Sequence, residues 1–225
     1  SVVTPDFRHR EVAIAACEAG KHVLIEKPMA TTVADAQQMA DAAKANGVML
    51  MVDFHNRWNP AMYGLKKAIQ NGEMGEPQVM TIRLNDTVYV PTQMLSWGGT
   101  STVAWFLGSH SLDLVTWLFD DQIVRVYSVS RSRLLAERGV NTPDFFHTIV
   151  ELQGGGVAHV ENCWIMSEAM PTVFDMKCEF IGSEGTAFID CSSHRMLQKF
   201  SSQVLSPFYT SPGTAYPDLA VAVYL

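Results

Sequence analysis

A lysine stands between an acid and a proline at the point where a short apolar run ends. The run covers residues 22–25, and Glu26, Lys27 and Pro28 follow it directly. In an open α/β sheet, ligands bind beyond the carboxyl ends of the parallel strands. A lysine there can move a proton to or from a substrate if burial or a nearby cation lowers its pKa from about 10.4 toward about 7–8. The plain alternative is a solvated lysine at the start of a loop.

A second set of side chains recurs at helical spacing further along the chain. Residues 103–119 are predicted to form a helix. One face of that helix carries Phe106, His110, Asp113 and Trp117. A histidine on such a face can orient a substrate hydroxyl or share a proton, and it can equally be a satisfied histidine between helix and sheet. Asp113 could anchor His110 or the chain between two domains.

An arginine and a tryptophan follow the strand predicted at 48–54. Arg57 could bind a cofactor or a substrate carboxylate through two parallel hydrogen bonds. Trp58 offers a flat ring for stacking against a sugar or a nicotinamide. The alternative is a surface arginine beside a core tryptophan at a domain boundary.

These residues are positioned by an alternation of strands and helices in the first part of the chain. Residues 2–3 end a strand, 8–19 form a helix and 22–25 a buried strand. A second helix begins at Thr32, and 48–54 form the next strand. This β-α-β-α-β order implies a parallel sheet with right-handed crossovers. The first helix is expected to bury the face that carries Val12, Ala15, Ala16 and Ala19.

Strand patterns dominate after residue 77. A helix over 60–71 ends the alternation, and strands are predicted at 78–84, 123–129, 145–152, 157–164, 174–181 and 187–190. Glycines at 154–156 and at 182 and 185 indicate hairpin connections. The predicted fold class is therefore α/β, with a partial Rossmann-like parallel sheet followed by an α+β domain that has a large, mostly antiparallel sheet.

Composition narrows the class of protein. The net charge of −7 argues against a nucleic-acid-binding surface. No apolar run approaches the roughly 18 residues of a membrane span, and the N-terminus lacks the features of a signal peptide. The four cysteines form no CxxC pair, which favours reduced thiols in a cytoplasmic protein. His159 and Cys163 would share a strand face, but no third ligand is evident, so we predict no metal site.

Five segments, in order, resemble the glucose-fructose oxidoreductase / inositol dehydrogenase (Gfo/Idh/MocA) family of NAD(P)-dependent oxidoreductases. The resemblance covers most of residues 1–190. The segments are Thr4-Pro5 with His9, residues 19–23 leading to Glu26-Lys27-Pro28, Arg57-Trp58-Asn59-Pro60, Gly108-Ser109-His110 with Asp113, and residues 182–186.

The resemblance implies a role for each of these residues. It assigns Lys27 as the catalytic acid–base, with His110 as its helper. NAD or NADP would be bordered by Thr4, Pro5, His9, Glu26, Pro28 and Arg57. From their side chains rather than from the resemblance, Trp58, Phe106 and Asp113 are expected to contact a sugar, polyol or inositol-like alcohol. The choice between NAD and NADP stays open, because the residue that reads the ribose 2′ position follows the second strand of a Rossmann sheet.

The resemblance places residues 2–3 near the fourth strand of the nucleotide-binding sheet. No GxGxxG occurs in the sequence, so the phosphate loop and the first βαβαβ half are expected to lie outside this chain. Residues 1–58 would be the C-terminal half of the NAD(P)-binding Rossmann domain. Residues 59–200 would form a substrate-binding and oligomerisation domain, and 201–225 stay unplaced. We expect these 225 residues alone to be inactive, and the broad sheet to be covered by another copy in a homodimer or homotetramer.

Phe106 departs from the family pattern, which often has an aspartate four residues before the histidine. An aromatic ring can pack against a sugar or a nicotinamide, but it cannot accept a proton. This leaves a second function open: a dinucleotide-binding sensor or regulator of the same fold that catalyses no reaction.

Overall fold

The computed structural model describes residues 1–191 and the backbone of residues 197–200 and 204–205. The chain divides into two compact units, Ser1–Phe54 and His55–Leu225. The division falls before His55, whereas the sequence placed a boundary after Trp58. His194 and the predicted tail 201–225 lie outside the described residues, apart from the backbone of 204–205.

The first unit is a small parallel sheet with two helices. Helix α1 spans His9–Glu18, strand β1 Val23–Ile25, helix α2 Val33–Ala45 and strand β2 Leu50–Val52. Strands β1 and β2 pair in parallel with Val23 opposite Leu50, and Val2 forms a parallel bridge to Ile25. The predicted β-α-β-α-β order is confirmed. Since all three chain segments run the same way, their carboxyl ends meet at one edge of the sheet.

Local signals in the sequence set the helix ends of this unit. Gly20 takes a positive φ of 70° directly after α1, which glycine adopts without steric cost. The Thr32 hydroxyl accepts a hydrogen bond of 3.1 Å from the Asp35 backbone N–H and caps α2. The predicted inner face of α1 is wrong: His9, Ala13 and Cys17 are buried, while Val12 is exposed. The small side chains of Ala13 and Cys17 allow α1 to pack closely on β1 and α2.

The second unit holds the longer elements. Its helices are α3 (Pro60–Gln70), α4 (Ser109–Phe119) and α5 (Leu134–Glu137). Its strands are β3 (Pro77–Thr87), β4 (Ile123–Arg131), β5 (Phe145–Leu152), β6 (Val157–Met166), β7 (Phe174–Gly182), β8 (Thr186–Asp190), β9 (Leu197–Phe200) and β10 (Val204–Leu205). The helix predicted at 103–119 begins as a wide π-helical turn, Ala104–Gly108, before α4 takes the α-helical form.

The strands of the second unit form one sheet in the order β10-β9-β8-β7-β3-β6-β5-β4. Strand β3 pairs in parallel with β6 and antiparallel with β7. The other described neighbours are antiparallel, and the hairpins at Gly154–Gly156 and Gly182–Gly185 join β5 to β6 and β7 to β8 as predicted. The fold class predicted from the sequence is confirmed.

Helices α3 and α4 pack on one face of this sheet and bury its apolar side chains. Leu65 of α3, Leu114 of α4 and alternate residues Met80 and Ile82 of β3 are fully buried in this core. Within the described residues, the opposite face, called here the open face, exposes Tyr127, Val129, Ile149, Ile181 and Phe188. None of the described helices is both long and apolar enough to cross a membrane.

Candidate active site

In the first unit, the His9 ring contacts two other residues that are predicted to border a cofactor. Its two ring nitrogens lie 2.9 Å from the carbonyl oxygens of Pro28 and Thr4, and the ring is buried. His9 therefore ties the Thr4-Pro5 turn to the segment that follows β1.

Glu26 and Lys27 follow β1 at the carboxyl edge of the small sheet. The Glu26 backbone N–H donates to the Val2 carbonyl at 3.0 Å, and the Lys27 backbone N–H donates to the Glu26 carboxylate at 3.2 Å. The Lys27 side chain is half-buried, and its peptide bond to Pro28 is cis. The structure thus places this lysine at the sheet edge where ligands of α/β folds bind.

Asp53 is a second carboxylate at the same edge, and it was not among the site residues predicted from the sequence. It follows β2, and its backbone N–H donates to the Ile25 carbonyl at 2.8 Å. Burial, with a smaller contribution from the Glu26 charge, raises the pKa of Asp53 to about 6. The available signal was its position, since Glu26 and Asp53 each follow a strand of the same parallel pair.

Two polar atoms of the first unit test whether a nicotinamide cofactor fits this edge. The Thr4 hydroxyl and one Asp53 carboxylate oxygen are buried without a hydrogen-bond partner among the described residues. Buried polar groups are ordinarily hydrogen-bonded, so such atoms indicate a polar ligand. The Thr4 hydroxyl and the Asp53 carboxylate can therefore bond a polar ligand, such as the sugar or carboxamide of a nicotinamide cofactor. The glycine-rich loop for its phosphates does not occur in the sequence.

In the second unit, His55 and His110 meet ring to ring. Their centroids are 4.8 Å apart at an interplanar angle of 71°. His55 begins the 3₁₀ turn His55–Trp58 directly after the first unit, and His110 lies in the first turn of α4. The contact brings a predicted catalytic residue beside a histidine that the sequence analysis left without a role.

Both histidines line a cavity of about 230 Å³, called here the histidine cavity. This volume is below the roughly 300 Å³ at which drug-sized sites begin, so it suits a small ligand. Its walls combine polar groups able to bond hydroxyls with apolar side chains able to pack on a carbon ring. The lining residues are His55, Asn56, Asn59, Leu84, Asp86, Leu107, His110, Phe174, Met176 and Cys191.

Arg57 and Asp113, assigned in the sequence to the cofactor and the substrate, are bound to each other. Arg57 Nε lies 2.8 Å from one Asp113 oxygen and a terminal guanidinium nitrogen 2.5 Å from the other. Burial raises the pKa of Asp113, and the pairing with Arg57 opposes that rise. The pair joins the 3₁₀ turn that carries His55 to the helix that carries His110.

The remaining predicted substrate residues lie outside the described lining of the histidine cavity. The Trp58 ring stacks on Tyr63, with centroids 5.9 Å apart. The Phe106 ring packs against Trp164 at 5.6 Å and against Trp97 at 6.1 Å. Phe106 therefore supports the cavity indirectly, because the Trp164 indole N–H donates to the Asp86 carboxylate at 3.2 Å.

Three polar residues of the histidine cavity were given no site role from the sequence. Asn56 sits inside the turn after β2, and Asn59 caps α3 by accepting a 2.9 Å hydrogen bond from the Ala61 N–H. Asp86 is the last residue of β3 on the buried face of the sheet. Asn59 and Asp86 each left a local signal: Asn before Pro marks a helix start, and an acid continued the apolar alternation of β3.

The comparisons agree with this architecture. Residues 1–54 match the family model described as an oxidoreductase family with an NAD-binding Rossmann fold. Residues 63–188 match the Gfo/Idh/MocA C-terminal domain. The chain belongs to the Gfo/Idh/MocA family.

Individual relatives are named as sugar and inositol enzymes. It is 32% identical over 170 residues to 1,5-anhydro-D-fructose reductase of Ensifer adhaerens, a match that covers 72% of this chain and 49% of the relative. It is 26% identical over 205 residues to scyllo-inositol 2-dehydrogenase (NAD(+)) of Bacillus subtilis, covering 90% and 58%. The chain thus spans about half the length of these curated relatives.

A solved structure shows the same fold. Levoglucosan dehydrogenase in complex with NADH and levoglucosan superposes with a TM-score of 0.83 at 25% identity. The match covers 99% of this chain and 68% of the solved chain.

Proposed function

We propose that the full-length protein transfers a hydride between NAD or NADP and a hydroxyl of a sugar, polyol or inositol-like alcohol. The observation that carries the proposal is the histidine cavity, a small recess in which imidazoles, amides and a carboxylate stand among apolar side chains. Hydroxyl groups need such donors and acceptors, while the carbon ring needs apolar contact. The names of the relatives give the same substrate class.

Lys27 is the proposed acid–base residue. Oxidation of an alcohol requires that the hydroxyl lose its proton as the hydride leaves the carbon, and reduction requires the reverse. A nicotinamide, when bound, accepts or supplies the hydride, and Thr4, His9 and Pro28 would hold its sugar end. Glu26 would border the same edge from the end of β1.

His110 is the proposed second contact to the reacting alcohol. A ring nitrogen can donate to or accept from a hydroxyl, and the neighbouring His55 ring holds His110 at an edge-to-face angle. The Arg57–Asp113 ion pair supports His110 by joining the 3₁₀ turn His55–Trp58 to helix α4. Phe106 supplies no proton acceptor.

The test is cofactor binding and turnover by the full-length gene product. Calorimetry with NAD(H) and NADP(H) should show binding, and nicotinamide absorbance should change with members of a panel of sugars and inositols. Lys27→Ala should lower turnover by about 100-fold or more with cofactor affinity largely retained. Lys21→Ala, at an exposed position before β1, is the matched control and should turn over like the wild type.

Three results would count against this function. Absence of cofactor binding would remove the oxidoreductase assignment, and unchanged turnover in Lys27→Ala would remove Lys27 from the mechanism. Bound cofactor with silence across the whole panel would favour the sensor or regulator, the alternative that Phe106 raised.

We also propose that a second copy of the chain covers the open face. Tyr127, Ile149 and Phe188 are each more than a third exposed there. They lie in one row across the sheet, in which three polar residues stand between Ile149 and Phe188: His159, Thr81 and Glu179. Large apolar side chains exposed on a broad sheet are typical of a surface between subunits. A homodimer or homotetramer would bury it.

A further inference from the structure

Asp86 occupies a position that the pattern of its strand reserves for an apolar residue. Met80, Ile82 and Leu84 alternate along β3 and are buried against the helices. Asp86 is next in this series of every second residue, so its side chain follows theirs to the buried face. It is 5% exposed. Burying a carboxylate is costly unless it is hydrogen-bonded, so its presence here calls for donors.

The carboxylate of Asp86 accepts a hydrogen bond from a buried indole. The indole N–H of Trp164, a fully buried side chain of the parallel neighbour β6, donates to it at 3.2 Å. The Phe106 ring packs on Trp164 and keeps the indole in place. A carboxylate has about four lone-pair sites, so it can accept hydrogen bonds from several donors at once.

Asp86 also faces a ligand-sized space. It lines the histidine cavity together with His110, and it is the one carboxylate among the described lining residues. The other polar lining groups are imidazoles and amides. A carboxylate only accepts hydrogen bonds when ionised, so it selects ligands that carry O–H or N–H groups.

We infer that Asp86 is a specificity-determining residue that accepts a hydrogen bond from a second hydroxyl of the substrate, one that does not react. This inference rests on the proposed function and deepens it. It makes the substrate a polyhydroxylated ring, and it predicts discrimination against an analogue that lacks that one hydroxyl. A site built to bond a hydroxyl rejects the deoxy analogue because its own polar group is then left buried without a partner.

The experiment pairs a protein change with a substrate change in the full-length protein. Affinity by calorimetry and kcat/KM are measured for a polyol found to turn over and for its set of monodeoxy analogues, with wild type and Asp86→Asn. Asp86→Asn should weaken binding of the parent polyol by about 10- to 150-fold, the range for a hydrogen bond to a charged group. For one deoxy analogue, wild type and variant should be nearly equal.

Two control variants separate recognition from structural support. Trp164→Phe removes the indole N–H that donates to Asp86 and keeps a smaller aromatic ring at this position. Asp175→Asn changes another buried carboxylate, on β7, which pairs with Arg83 at 2.7 Å and lies outside the described lining. Neither should alter the ranking of the deoxy analogues. Thermal unfolding of each variant reports whether the fold is retained, and Asp86→Glu provides a second variant if the asparagine does not fold.

The inference is overturned if Asp86→Asn weakens the parent polyol and every deoxy analogue by one common factor, or if Trp164→Phe reproduces its full effect. It is also overturned if no polyol of the panel binds the wild type. The proposed function has its own readout, since turnover by wild type supports it whatever Asp86→Asn does.

Discussion

At the scale of single residues, the described structure separates side chains that line the histidine cavity from those bound to other groups of the chain. His110 and Asp86 line the histidine cavity. Arg57 and Asp113 satisfy each other, and His9 is engaged with two backbone carbonyls. The distinction matters for mutation. Changes to His110 or Asp86 should alter kinetics, and changes to Arg57 or Asp113 should alter stability.

Asp53 should give the first unit a stability that depends on pH. Its pKa is raised to about 6 in the folded chain from the ordinary 3.8. Between those values the folded state holds a proton that the unfolded state has released, so stability falls as pH rises from about 4 to about 6. Asp53→Asn should therefore stabilise the unit above pH 6, by at most about 3 kcal/mol, and leave it unchanged below pH 4.

Hydrogen exchange of the β1 and β2 amides measures this effect, because all five tryptophans lie in the second unit and fluorescence would miss it. Asp41→Asn, on the exposed side of α2, is the control and should keep the wild-type pH profile. A stability difference for Asp53→Asn that is the same at pH 4 and pH 7 would contradict the raised pKa.

The Arg57–Asp113 pair should contribute measurably to the stability of the second unit. Asp113→Asn leaves the guanidinium beside a neutral amide in a site where the carboxylate was 7% exposed. A loss of about 1–3 kcal/mol is expected. Urea unfolding followed by tryptophan fluorescence measures it. Glu151→Gln breaks the exposed pair with Arg125 and should cost less than about 0.5 kcal/mol; equal effects of the two variants would show that burial adds nothing.

At the scale of elements, helix α4 is held at both ends by polar contacts. Its first turn carries His110, and near its last turn the Trp117 carbonyl accepts a 2.5 Å hydrogen bond from Lys66 Nζ of α3. The Lys66 side chain is buried, and burial lowers its pKa. A cation at the C-terminal end of a helix interacts favourably with the helix dipole.

Lys66→Met should weaken this end of α4. It keeps the apolar stem and removes the charge and the donor, so a loss of about 1–2 kcal/mol is expected in urea unfolding. Lys67→Met is a closely matched control, since the neighbouring lysine is exposed and lies over the Tyr63 ring. If Lys66→Met is as stable as Lys67→Met, the bond to Trp117 contributes nothing net.

The elements also show what could be predicted from this sequence and what could not. Strands β5 and β6 were predictable because Gly154–Gly156 marks their turn, and α2 because Thr32 caps it. The meeting of His55 with His110 could not be predicted, since two residues far apart in sequence meet only through tertiary packing. Asp86 was missed for a different reason: the predicted strand ended at residue 84, whereas β3 continues to Thr87 and carries Asp86 onto the buried face.

At the scale of the whole molecule, the open face bears on assembly. A recess of about 500 Å³ there is lined by residues that include Tyr127, Ile149, His147 and His159. Ile149→Glu should shift the full-length protein from oligomer to monomer, because a charge would be buried at the contact. Sedimentation velocity measures the shift.

Val126→Glu is the control for that experiment. Val126 is exposed on β4 but belongs to the opposite face, since it pairs with the buried Val150. It should leave the assembly unchanged. A monomeric wild type, or equal dissociation by both variants, would contradict a second copy on the open face.

The position of β3 in the middle of its sheet has a consequence for biosynthesis. Val79 pairs with Val157 on one side and with Ile181 on the other, so both neighbours leave the ribosome long after β3 does. At roughly 5–20 residues per second, β3 waits several seconds with both edges unpaired. The nascent chain thus presents an apolar strand to chaperones and to other nascent chains until β6 and then β7 emerge.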